Sequence, residues 1–316
     1  MPTLPRLLGL SGLIVSELVS PQAQASCGAS FCLVNTDWGM QGAWLERGYS
    51  LDLRFEQVQQ DRLMRGSETY TPSAKADREI ETISRRWHAS FEHGLNQNWA
   101  YSVSASFLDR SHSHTEEGAP ASWQYRQPGD VKVQLNYQNE LASSVQQASV
   151  YGLKLGLKLP TASIDIRNSS GSRAERSLQP GSGTTDLLGS VYYRRFDPES
   201  QRSWFVQANF ELPLQERSGY KPGRRFGLDA GLSLPFGSAW NALAQINLQH
   251  IQRDSGSAAE PDFSGGRVIA LSPGLSYRWS EKSQVYGYLQ VPVYQYLNGQ
   301  QLATRWALSA GWRHQF

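Results

Sequence analysis

A period of two runs through most of this chain. Between Leu302 and Phe316 the apolar residues Trp306, Leu308, Ala310 and Trp312 fall at every second position, followed in step by His314 and Phe316. The positions between them hold Arg305, Ala307, Ser309, Gly311, Arg313 and Gln315. The same alternation appears in Tyr49–Phe55, Ile83–Phe91, Trp99–Phe107, Val131–Tyr137, Tyr151–Leu159, Trp204–Leu212, Phe226–Leu234, Ala242–Leu248 and elsewhere. Alternation of this kind specifies strands with one greasy and one wet face. We count about twelve such segments, most of roughly 10 to 14 residues, enough for a tilted strand to cross a bilayer.

The connections alternate as well. Polar stretches at Gln59–Glu79, Asp109–Gly129, Pro160–Thr185, Gly219–Gly223 and Arg253–Gly266 are separated by shorter links such as Gly94–Asn98, Phe196–Gln201 and Ser280–Ser283. A soluble sandwich has no reason to sort its loops in this way. An outer-membrane barrel has short periplasmic turns and longer extracellular loops, and closure leaves no sheet edge exposed to lipid. The expected fold is therefore all-β, a transmembrane antiparallel up-and-down barrel of about 12 strands over residues 48–316. Pro273 and Pro292 are expected at bulges or strand ends, because proline cannot donate to a ladder.

Composition fits this reading. The mean hydropathy of −0.49 does not argue against a barrel, since half of each strand faces a polar lumen. A net charge of +2 excludes a polybasic nucleic-acid binder. Ten Trp and 14 Tyr suit the aromatic girdles that barrels place at the membrane interfaces. Residues 1–25 read as a signal peptide: Arg6, an apolar run from Leu7 to Val19, and a small-x-small site at Ala23-Gln24-Ala25. Export to the outer membrane of a Gram-negative bacterium, with cleavage after Ala25, is expected. Residues 26–47 are too irregular for a strand and read as a periplasmic segment or plug. Within them Cys27 and Cys32 are expected to form a disulfide, with a redox or metal-handling thiol pair as the alternative.

Two stretches carry a family resemblance: Leu157-Lys-Leu-Pro-Thr161, and Ala174-Glu-Arg-Ser-Leu-Gln-Pro-Gly-Ser-Gly-Thr-Thr-Asp186. Together with Asp109–His114 and the Cys27–Gly42 stretch, they are similar to the family described as Putative MetA-pathway of phenol degradation. The resemblance implies an outer-membrane barrel of transporter type and a link to aromatic catabolism. Ser309-x-Gly311-x-x-His314-x-Phe316 also resembles the carboxy-terminal signal read by the outer-membrane barrel assembly machinery. Gly311 and Phe316 are its key positions.

Alternation directs Arg54, Arg86, Lys132, Lys154, Lys158, Arg194, Arg225, Arg278, Arg305 and Arg313 into the lumen, against Asp52, Glu56, Glu92, Asp186, Glu211 and Asp229. Such a lumen favours anionic or polar solutes, unless its charges neutralise one another in salt bridges. Tyr286, Tyr288, Tyr294 and Tyr296 form a stripe on the same face, placed to stack an aromatic ligand or to pack against a plug or girdle. His112 and His114, near Glu116 and Glu117, have donors that suit Zn²⁺ or Cu²⁺. The reading adopted for that stretch is a solvated loop, and neither metal nor cofactor is assigned. His88, Ser90 and Glu92 share one strand, and the sequence has no Gly-x-Ser-x-Gly elbow, so no enzyme is expected. The expected function is a channel or transporter for small polar, anionic or aromatic solutes, working by diffusion through a net-basic lumen. The alternative is a structural protein that docks a periplasmic partner through its cysteine segment. The expected partners are outer-membrane lipid, the assembly machinery and a small solute, with no nucleic acid; oligomeric state is not specified by the sequence.

Overall fold

A computed structural model describes residues 48–72, 78–116, 118–144 and 147–316. The predicted signal peptide, the segment 26–47, Cys27, Cys32 and Glu117 lie outside the described residues. Among the described residues thirteen strands follow one another: β1 (Gly48–Gly66), β2 (Glu68–Thr69), β3 (Arg78–Gly94), β4 (Trp99–Glu116), β5 (Ala119–Pro128), β6 (Val131–Ser144), β7 (Gln147–Leu159), β8 (Asp186–Asp197), β9 (Arg202–Pro213), β10 (Arg225–Phe236), β11 (Trp240–Ile251), β12 (Gly266–Ser280) and β13 (Ser283–Gln315). Each barrel strand pairs antiparallel with the next, and β13 returns to pair with β1 from Ser50↔Gln315 to Gly66↔Leu297. Eleven elements form this circuit; β2 and β5 lie outside it, as additions to the ends of β1 and β4.

The last element is 33 residues long and serves twice. Ser283 to Leu297 pairs with β12, and Gln300 to Gln315 pairs with β1. The chain reverses between them at Asn298-Gly299, where Gly299 takes φ 61° and an added Cβ would lie 2.2 Å from the Asp262 carbonyl oxygen. Counting β13 as two staves, the barrel has twelve, as the alternation predicts.

The apolar face of each stave points outward. Leu53, Val133, Leu155, Val191, Leu228, Leu271 and Leu289 are all exposed and form the lipid-facing band. At the end with the short turns, aromatic residues sit opposite one another in the ladder: Tyr49 with His93, Trp99 with Tyr137, and Trp240 with Tyr277, with centroids 4.3, 4.9 and 4.8 Å apart. His314 completes this girdle, stacked on Trp312 at 5.7 Å and edge-on to Phe316 at 4.7 Å. An imidazole thus takes the place of the usual aromatic ring.

Three features differ from the sequence reading. First, the polar stretches 59–79 and 109–129 are largely strand: β1 runs to Gly66, β3 begins at Arg78, and β4 and β5 form a hairpin pairing Phe107↔Pro128 through Glu116↔Ala119. Beyond the membrane both faces of a strand can be polar, so alternation fades while the backbone ladder continues. Second, β12 and β13 shift register between Ile269 and Ala270, leaving Val293 unpaired beside Pro292. The slip turns Tyr294 and Tyr296 outward, where both are exposed, while Tyr286 and Tyr288 stay buried inside. Third, β1 and β13 shift register around Asp61 and Arg305. The two extra residues pair with each other at 3.0 Å, and the Arg305 side chain is 63 % exposed, so Arg305 does not line the lumen.

The interior is polar, and the largest fully buried side chains include Gln290, Gln301, Asn136 and Asn247. Buried polar groups require partners. Asn247 donates to Asp229 at 2.8 Å and accepts from Ser272 at 2.8 Å, and Gln290 donates to Ser272 at 3.3 Å. The principal apolar cluster, Leu63, Trp123, Ala174, Leu178 and Leu302, sits at the end of the barrel with the long connections. In barrels of this kind that end faces outside.

Candidate functional site

The barrel encloses a cavity of about 610 Å³, walled by the inner faces of the staves and roofed by two connections. The main roof is the connection between β7 and β8, residues 160–185, which folds back into the barrel mouth as a lid. Its shape is held by its own side chains. Asn168 accepts from the Ser170 and Ser172 amides at 3.1 and 2.9 Å. Gln179 accepts from the Ile166 amide at 2.8 Å and donates to the Ala174 carbonyl at 2.8 Å. Arg176 donates to the Ser182 carbonyl at 2.8 Å.

A single turn, Arg176–Leu178, inserts Leu178 between Leu63, Trp123 and Leu302. The Leu178 carbonyl accepts from the Tyr125 hydroxyl at 2.7 Å and from Arg110 at 3.1 Å, while Trp123 donates its ring N–H to the Ser172 carbonyl at 3.1 Å. Gln179, Pro180, Gly181 and Ser182 then line the cavity. Gly181 passes so close to the start of the lid and to Asp130 that an added Cβ would lie 2.7 Å from Ala162 Cβ and 2.8 Å from Asp130 Oδ1.

The second roof joins the β9–β10 and β11–β12 connections through paired Lys221 and Ser255 amide–carbonyl bonds of 2.8 and 2.9 Å. Beneath it the Tyr220 hydroxyl donates to Asp254 at 2.8 Å, and Arg176 of the lid rests 4.9 Å above the Tyr220 ring. Burial first, and then the Asp254 carboxylate, hold the Tyr220 phenol well above the ordinary tyrosine range.

Two ion clusters divide the wall, and strand register builds both. On β1, Arg54 and Glu56 share one face, and β3 places His88 and Arg86 directly opposite them. Glu56 is 2.9 Å from Arg54, 3.4 Å from His88 Nε2 and 4.0 Å from Arg86. In the second cluster Lys158 lies opposite Asp186 in the ladder, at 2.5 Å, with Asp130 at 3.5 Å and Glu211 at 3.7 Å. Lys132 and Arg225 also reach Glu211, at 3.6 and 3.9 Å. Lys158 further donates to Ser182 at 2.7 Å, tying this cluster to the lid. Such pairing compensates for the desolvation of buried charges. Among the described residues the cavity lining has nine Lys or Arg against eight Asp or Glu, a nearly balanced field.

Seven of the cations expected in the lumen line this cavity: Arg54, Arg86, Lys132, Lys154, Lys158, Arg225 and Arg313. Arg194 lies near the opposite end of β8, away from the cavity lining. Tyr286 and Tyr288 face inward but are packed away from the cavity; Tyr286 donates to Asp52 at 2.9 Å, and its ring fills the space left by Gly311. Phe316 is exposed, and its amide bonds the Tyr49 carbonyl at 2.9 Å. His112 and His114 are not in a solvated loop: His112 is buried and His114 half-buried on β4, where Glu79 joins them. The sequence reading missed the lid and its anchors Arg110, Trp123 and Tyr125. The signals available were the period-two spacing of Trp123 and Tyr125, and the apolar Ala174 and Leu178 within a polar stretch.

Residues 143–307, just over half of the chain, match the family model described as "Putative MetA-pathway of phenol degradation". No curated protein matches the chain. Among solved structures, the COG4313 outer membrane channel from Pseudomonas putida F1 aligns with a TM-score of 0.65 and 11 % identity, covering 90 % of this chain and 99 % of that one. The NanC porin aligns at 0.44 with 12 % identity, over 84 % and 100 % of the two chains. The CymD monoaromatic hydrocarbon channel aligns at 0.40 with 11 % identity, over 92 % and 94 %. At 11 % identity the likeness to the COG4313 channel is one of fold, and the fold is that of an outer-membrane β-barrel.

Proposed function

Starting from the family to which the chain belongs, Putative MetA-pathway of phenol degradation, we propose that it is an outer-membrane channel for small polar, anionic or aromatic solutes, opened by movement of the lid. The observation that carries this reading is the cavity: about 610 Å³ of polar-walled space inside a closed barrel, roofed by a segment held through two apolar side chains, Ala174 and Leu178, and a few hydrogen bonds. A space of that size suits a small-molecule site.

The lining supplies serine, asparagine and glutamine groups that replace water around a polar solute, and the family description makes a hydroxylated aromatic the natural candidate. Passage is by diffusion and needs no covalent step. The small cationic excess favours anions only modestly, because most of the charges are already paired across the wall. Tyr286 and Tyr288 brace the wall in this mechanism and do not stack the solute. Gly311 and Phe316 are assigned to assembly of the barrel by the outer-membrane machinery.

The test is planar-bilayer recording of the refolded protein, with reversal potential in a salt gradient, alongside liposome uptake of phenol and benzoate. Conductance that rises on loosening the lid, with weak anion selectivity reversed by Lys154→Glu, is the expected result. A folded, heat-modifiable barrel that stays silent and takes up no solute after removal of residues 161–184, and of 26–47, overturns the proposal.

A further inference from the structure

We propose that Glu79, His112 and His114 form a binding site for a divalent transition-metal ion of the zinc type at the lid end of the barrel. His112 and His114 are two apart on β4 and therefore share a face. β3 brings Glu79 opposite His114 and Thr82 opposite His112. Plain alternation from the buried Thr82 would turn Glu79 to the outside. A register shift between Glu79 and Glu81 inserts Ile80 as an extra residue; Ile80 is exposed and Glu79 turns inward, where it is buried. Bulges of this kind re-aim side chains beside functional sites.

The resulting distances suit a metal. Ligand atoms held about 2.0–2.1 Å from a zinc ion at tetrahedral angles lie roughly 3.3–3.4 Å from each other. Here His112 Nε2 is 3.3 Å from Glu79 Oε2 and 3.1 Å from His114 Nδ1. All three candidate atoms lie within 4.8 Å of one another. His112 Nδ1 is 2.9 Å from the Thr82 hydroxyl. With that nitrogen protonated and donating to Thr82, Nε2 presents its lone pair to the centre, the arrangement usual for metal-bound histidine. The Trp123 ring stacks on His114 at 4.9 Å and 14° and shields one side. Two imidazoles and a carboxylate are the three-ligand set of an open zinc site, with a fourth position for water or an anion. A proton shared between the rings would also satisfy two ring nitrogens 3.1 Å apart, so the choice between proton and metal is decided by binding.

The experiment is calorimetric titration of refolded, chelator-treated protein with Zn²⁺, repeated with Co²⁺ to read the coordination spectrum. Both use a Cys27→Ser, Cys32→Ser background so that thiols cannot bind the ion. One equivalent of Zn²⁺ and tetrahedral Co²⁺ absorption are expected. Both are lost in His112→Ala and His114→Ala, and Thr82→Val weakens binding roughly 10- to 100-fold. Glu79→Gln, nearly isosteric, serves if loss of a ring prevents refolding, and should also abolish the Co²⁺ spectrum. A folded protein that takes up no Zn²⁺, or that binds equally well with His112 and His114 both replaced, overturns the proposal.

Discussion

Replacing Leu178 by alanine should open the lid without disturbing the barrel. Leu178 is 2 % exposed, wedged between Leu63, Trp123 and Leu302. The substitution removes three carbons from that contact. At about 0.8 kcal/mol per buried methylene, the closed lid loses about 2.4 kcal/mol relative to an open one in which the side chain meets water. The bonds from Tyr125 and Arg110 end on the Leu178 carbonyl and survive the change. Since 1.4 kcal/mol is a factor of ten, the open-to-closed ratio should rise about 50-fold. The assay is the open fraction of single barrels in a planar bilayer, with heat-modifiability on a gel confirming that the variant is folded. Tyr125→Phe removes one hydrogen bond to the same carbonyl, worth about 1 kcal/mol, and should give roughly a fivefold rise. An open fraction for a folded Leu178→Ala barrel within about twofold of wild type would refute the assignment of Leu178 as the latch.

Lys158→Ala should destabilise the barrel by about 3–5 kcal/mol, because it leaves the buried Asp186 beside a missing cation; the urea midpoint of the refolded protein measures this, and an unchanged midpoint counts against the cluster. Tyr220→Phe should cost about 1 kcal/mol at neutral pH, through loss of the bond to Asp254. Because the folded-state phenol titrates above its unfolded value, the Tyr220 contribution is complete below about pH 10 and is lost as pH rises from there toward the folded value. Melting temperatures of wild type and Tyr220→Phe should therefore differ by a constant amount up to that pH and converge above it.

Much of this protein follows from one local rule. Side chains alternate on a strand, so Leu53, Leu155 and Leu228 on one parity had to face lipid while Arg54, Lys154 and Lys158 on the other had to face inward. Alternating loop lengths then gave the antiparallel circuit and its stave number, since a polar chain cannot leave a sheet edge in hydrocarbon. These properties depend on residues close in sequence, which is why sequence alone determined them.

What sequence could not determine depends on events that break the period or join distant segments. One extra residue at Ile80, at Val293 or at the Asp61–Arg305 pair reverses the parity of everything beyond it. That slip took Arg305, Tyr294 and Tyr296 out of the lumen and brought Glu79 to His112. No local signal marks a bulge, because only the partner strand defines the register from which it departs. The lid is hidden for the same reason: Leu178 reads as an isolated leucine in a polar stretch until the closed barrel brings Leu63, Trp123 and Leu302 around it. Tertiary structure alone decided which lumen charges neutralise one another, because each carboxylate partner of Lys158 comes from a different part of the chain.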